Sequence, residues 1–102
     1  MILVRTVMQA KFGMGGQLAA AMKEGNAQLT ADLGPSGPWR LLTDLSGGFD
    51  RVILEMQVES LAEWERQRAA LFSSPAFGEM MGRTAGMIEG GANELYTIEA
   101  EG

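Results

Sequence analysis

RVILEMQVESLAEWERQRAALF, residues 51–72, passes from an alternating pattern into a helical one without a break. From Arg51 to Glu59, Val52, Leu54, Met56 and Val58 share one face and Ile53, Glu55, Gln57 and Glu59 the other, the period-two signature of a strand. Ser60 and Glu63 then form an S-x-x-E capping box, in which the serine oxygen accepts the N3 amide and the glutamate reaches back to the cap amide. A helix is predicted from that point. Leu61, Trp64, Arg68, Leu71 and Phe72 fall on its inner side, and Glu63, Glu65, Arg66 and Gln67 lie largely toward solvent.

Downstream, Ser73-Ser74-Pro75 interrupts the helix and predicts a restart, with Ser74 as cap and Pro75 at the first helical position. This second segment is expected to reach about Glu89, burying Phe77, Met80, Met81, Thr84, Met87 and Ile88. Gly78, Gly82 and Gly86 each weaken it by up to about 1 kcal/mol relative to alanine. Their four-residue spacing is expected to permit close approach to the sheet or to a neighbouring helix. Gly90 and Gly91 are read as its end, and Asn93 to Glu99 as a last strand with Tyr96 and Ile98 on one face.

Upstream, Ile2 to Ala10 alternates Ile2, Val4, Thr6, Met8 and Ala10 with Leu3, Arg5, Val7 and Gln9. Both faces carry bulky apolar residues, as expected of a strand near the centre of a sheet. A helix is predicted over about residues 15–33, with Leu18, Met22, Leu29 and Leu33 on one stripe and Gly34-Pro35 closing it. GMGGQL, residues 13–18, does not make a dinucleotide loop, because Leu18 stands where the third glycine belongs. It reads as a flexible lead-in to the helix. The GPSGP stretch, residues 34–38, is a loop; Trp39 to Leu45 alternates as a strand, and SGGFD, residues 46–50, turns it back antiparallel onto residues 51–59. The predicted order is βαββαβ. By the right-handed crossover rule it folds as a four-stranded antiparallel sheet with both helical regions on one face and the first and third strands adjacent.

The 102 residues fit a single domain, 1–102. Cysteine and histidine are absent, which removes thiolate chemistry, the serine–histidine relay, and the usual ligands for zinc or haem. No metal or other cofactor is expected, and a chain without cysteine suits the reducing cytoplasm. The charge of −5 opposes binding to nucleic acid, and no apolar run approaches membrane-spanning length. Strand 1 presents Leu3 and Val7 on the face opposite the helices, so a homodimer joining two such sheet faces is expected.

SLAEWERQRAALFSSPAF, residues 60–77, together with Asn93-Glu94-Leu95, resembles the C-terminal half of NIPSNAP-like proteins of the dimeric α+β barrel superfamily. Glu63, Arg66, Arg68, Ala69, Ala70, Leu71, Pro75, Asn93 and Leu95 hold the comparable places. The resemblance implies a ferredoxin-like dimeric α+β barrel. It also implies a cavity between helices and sheet that takes a small hydrophobic organic molecule, for which Trp39, Trp64, Arg68, Asn93 and Tyr96 are the candidate residues. Each aromatic also fits a plain core role, the commoner use of a lone aromatic at helical or strand spacing. Arg68 reads either as an anion ligand or as a snorkelling side chain paired with Glu65. An alternative is a cofactor-independent monooxygenase acting on an aromatic or polyketide-like substrate, with Arg68 or Asn93 stabilising the substrate oxyanion.

Overall fold

The computed structural model describes residues 1–35 and 37–102; Ser36, in the expected 34–38 loop, lies outside the described residues. Four strands, β1 (Ile2–Ala10), β2 (Trp39–Thr43), β3 (Arg51–Val58) and β4 (Ile88–Thr97), form one antiparallel sheet in the order β2-β3-β1-β4. Helices α1 (Gly15–Leu33), α2 (Leu61–Phe72) and α3 (Pro75–Thr84) pack on one face, and a 3-10 turn, Ala85–Met87, leads from α3 into β4. This is the ferredoxin-like arrangement. β1 and β3 are neighbours, as the crossover rule requires.

Register assigns each strand residue to a face. Thr43, Val52 and Met8 are aligned, as are Leu41, Leu54, Thr6 and Asn93 in the next row and Trp39, Met56, Val4 and Leu95 in the one after. These rows point at the helices. Met8, Ala10 and Val52 meet Leu18, Ala19 and Met22 of α1 and Met80 of α3 in the core.

Two features near α1 were not apparent from local pattern. Asp50, at φ 59°, accepts hydrogen bonds through its carboxylate from the Gly13 amide at 2.7 Å and the Gly15 amide at 3.0 Å. The glycine lead-in is therefore tied down rather than flexible, with its first amides satisfied by a residue from the β2–β3 turn. Gln9 Nε2 also donates to the Phe49 carbonyl at 2.6 Å, fixing the same turn against β1.

The C-terminal half departs from expectation in three respects. The helix ends at Thr84, and β4 starts at Ile88, so Gly90 and Gly91 lie within the strand rather than ahead of it. Pairing explains this: β1 offers a free edge back to Ala10, and β4 follows it through a register shift at Gln9/Ala10. Gly78, Gly82 and Gly86 face open space, with no close approach to sheet or helix, and Met81 is exposed. The intimate glycine contact between helices is at Gly25 of α1, against Met80 of α3. Finally, Ser74 holds the N-cap position ahead of Pro75 as expected, but its side chain makes no capping hydrogen bond; its buried hydroxyl lies 2.5 Å from Asp32 Oδ2 and donates to it, joining α3 to the end of α1.

The capping box of α2 is half realised. Ser60 Oγ accepts the Glu63 amide at 3.1 Å, but the Glu63 carboxylate takes Gln67 Nε2 at 2.9 Å and pairs with Arg66 instead of returning to Ser60. Ser60→Ala is expected to cost about 0.5–2 kcal/mol. An unchanged midpoint in urea unfolding would show that α2 does not depend on its cap.

A cavity beneath the second helix

α2 is an unusual helix for a small domain, because none of its residues is fully buried. Part of its inner side borders open space. α1 and α3 close the core over Met8 and Val52, and the space left under α2 is a cavity of about 460 Å³. Val4, Leu54 and Met56 form part of its floor, and Leu29 and Leu33 of α1, Leu71 of α2 and Phe77 of α3 part of its walls. Phe72 and Phe77 meet edge to face at a centroid distance of 5.3 Å, closing one side. The lining is mostly apolar, with Thr6, Asn26, Thr30, Gln67 and Asn93 as neutral polar groups and Glu63 and Arg68 as the charged ones.

Of the five candidate residues, Trp39, Trp64, Arg68 and Asn93 line this cavity. Trp39 rises from β2 and Asn93 from β4, while Trp64 and Arg68 descend from α2. Thr6 Oγ1 lies 2.8 Å from Asn93 Oδ1 and donates to it, so the carbonyl of the Asn93 side chain is engaged and its amide N–H groups are the remaining donors. Tyr96 is elsewhere. It is level with Leu3 on the opposite sheet face, where its hydroxyl donates to Glu94 at 3.2 Å. Strand parity separates it from Asn93, three residues before it.

Arg68 makes no ion pair with Glu65. Its guanidinium carbon lies 5.3 Å from the ring centres of both Trp64 and Phe72, one helical turn to either side. The i, i+4 spacing from Trp64 to Arg68 and from Arg68 to Phe72 was visible in the sequence as a signal for this stacking.

The opposite sheet face bears a pattern that periodicity within single strands does not reveal. Arg40, Glu55, Arg5 and Glu94 are aligned across all four strands, with charges alternating along the row. Arg5 bridges Glu55 at 3.1 Å and Glu94 at 3.2 Å, and Arg40 also pairs with Glu55. The next row, Leu42, Ile53, Val7 and Ala92, is wholly apolar. Among the described residues no helix covers this face, and no cluster of acidic side chains has the makings of a metal site.

No protein-family model matches the sequence, and no curated protein does either. Solved structures are more informative. An uncharacterised NIPSNAP domain protein from Burkholderia xenovorans superposes with a TM-score of 0.84 at 14% identity, covering 98% of this chain and 96% of the other. A NIPSNAP family protein from Agrobacterium tumefaciens gives 0.80 at 16% identity, with coverage of 94% and 90%. The chain shares the fold of these two proteins. An antibiotic biosynthesis monooxygenase-like protein from Nitrosomonas europaea follows at a TM-score of 0.72 and 11% identity, covering 98% and 100%. The shared fold thus extends over nearly the whole chain, including the first half, which carries none of the residues of the sequence resemblance. Among the described residues, no helix is long and apolar enough to cross a membrane.

Proposed function

We propose that this NIPSNAP-like protein binds a small, largely hydrophobic organic molecule in the cavity under α2, with Trp39, Trp64, Arg68 and Asn93 as contact residues. The cavity carries this reading. A 12-residue helix with no fully buried residue leaves hydrophobic stabilisation unrealised, and a guest would recover it by covering the inner sides of Leu71, Phe72 and Trp64. The neutral fluorescent probe N-phenyl-1-naphthylamine is expected to brighten on binding. Thr30→Trp, which places a bulky ring at the cavity from an exposed site on α1, is expected to weaken that binding about tenfold or more. Tyr96→Phe, on the other face, is expected to leave it unchanged. A probe response indifferent to Thr30→Trp would remove the cavity as the binding site.

A second reading comes from the monooxygenase-like fold relative: cofactor-independent oxygenation of an aromatic or polyketide-like substrate in the same cavity, its oxyanion met by Arg68 or Asn93. Oxygen uptake with anthrone-like and quinol substrates, lost in Trp64→Phe or Asn93→Ala, would favour it over binding alone. The working compartment is read as the cytoplasm.

The open sheet face supports a homodimer. Leu42, Ile53, Val7 and Ala92 form an apolar row beside the charged one, and a second copy laid face to face would cover both. Light scattering at micromolar concentration is expected to give twice the mass of the chain, and Ile53→Asp to shift it to the monomer. A wild-type monomer at that concentration would exclude this assembly.

A further inference from the structure

The cavity's two charged side chains are not equivalent. Glu63 is compensated: Arg66 pairs with one carboxylate oxygen, and Gln67 donates to the other. Arg68 is not. Among the described residues no carboxylate lies within ion-pair distance of it and none of its N–H groups donates to a protein acceptor. It is held by the ring faces of Trp64 and Phe72, contacts that leave the planar fork of N–H donors unoccupied at its edge. The uncompensated charge of the lining is therefore positive, in a chain whose net charge is −5.

We infer that the cavity's guest is an amphipathic carboxylate, with an apolar body over Val4, Leu54 and Phe77 and its carboxylate in the fork of Arg68. This rests on the binding reading above and narrows it to a chemical class. A guanidinium fork matches a carboxylate in two parallel hydrogen bonds, whereas a phosphate monoester carries nearly twice the charge and would find only this one uncompensated cation. Arg68 is exposed while the apolar floor lies beneath it, so the acid's head would sit at the mouth and its body inside. Stacking on two rings also restricts the arginine before the guest arrives, which lowers the ordering cost of binding.

Calorimetric titration of the full chain with 2-naphthoate and decanoate, each against its neutral amide, tests the inference and distinguishes an aromatic from an aliphatic acid. At least one acid is expected to bind about tenfold to a hundredfold tighter than its amide, the range of a charge-assisted hydrogen bond. Arg68→Gln is expected to abolish that difference between acid and amide, and Arg68→Lys to restore part of it. Equal affinity of acid and amide for the wild type would overturn the carboxylate assignment and leave the cavity reading standing. Binding of none of the four compounds, with the neutral fluorescent probe also silent, would overturn both. Because the acid–amide comparison uses the unmodified chain, it decides the question even if a variant folds poorly.

Discussion

Leu18→Ala is expected to destabilise the protein by about 2–5 kcal/mol, the cost of deleting a fully buried leucine and leaving a void. Leu18 has no exposed surface and belongs to the cluster of Met8, Ala10, Met22, Val52 and Met80. It lies in the first turn of α1, the turn whose amides Asp50 helps to satisfy, so the surrounding backbone is held in place and has little freedom to collapse into the void. For a domain of this size the change corresponds to a fall of roughly 8 °C or more in Tm. Leu45→Ala, at a fully exposed leucine in the β2–β3 turn, is the matched control and is expected to stay within about 0.5 kcal/mol of wild type. Equal effects at the two positions would mean that the core is not centred on α1. The same residue that broke the dinucleotide pattern in the sequence is thus the one that seats the helix.

Gly91→Ala is expected to cost roughly 1–3 kcal/mol, because a Cβ there would lie 2.6 Å from the carbonyl oxygen of Val7 in the adjoining strand. The obstacle is backbone of a strand paired on both sides, so relief requires β1 or β4 to shift. Gly25→Ala makes an informative contrast. Its Cβ would lie 2.6 Å from Met80 Cγ, but methionine is flexible and can change rotamer. In a double-mutant cycle Gly25→Ala should couple strongly to Met80→Ala, since removing the thioether removes the clash. Gly91→Ala should show no such coupling. If Gly91→Ala left the urea midpoint unchanged, the β1–β4 register at Met8/Gly91 would have to be different.

The boundary between what sequence and structure each supplied follows from the range of the interactions involved. β1, α1 and β3, the start of α2 and the order βαββαβ were legible because alternation, helical stripes and the Ser60 cap are properties of neighbouring residues. The β3–α2 junction in particular depends on residues no more than three apart. β4 was misplaced because Gly90 and Gly91 look like a break in isolation, and only pairing with Met8 and Gln9 of β1 makes them strand. Trp39, Trp64, Arg68 and Asn93 could be singled out as candidates from their types and positions. Asn93 and Tyr96, three residues apart, face opposite ways by strand parity alone; that the helices, and with them the cavity, lie on the side of Asn93 was decided by packing.

The kind and order of the elements and the apolar face of each follow from residue spacing, since backbone periodicity converts spacing directly into facing. Tertiary structure alone decided what those faces meet. Asp50 caps α1 from 35 residues away, and Arg40, Glu55, Arg5 and Glu94 form a charged row only when four strands lie in register. The cavity also belongs to the assembled fold, because its lining comes from all three helices and all four strands, a set of side chains that no local stretch of the chain contains.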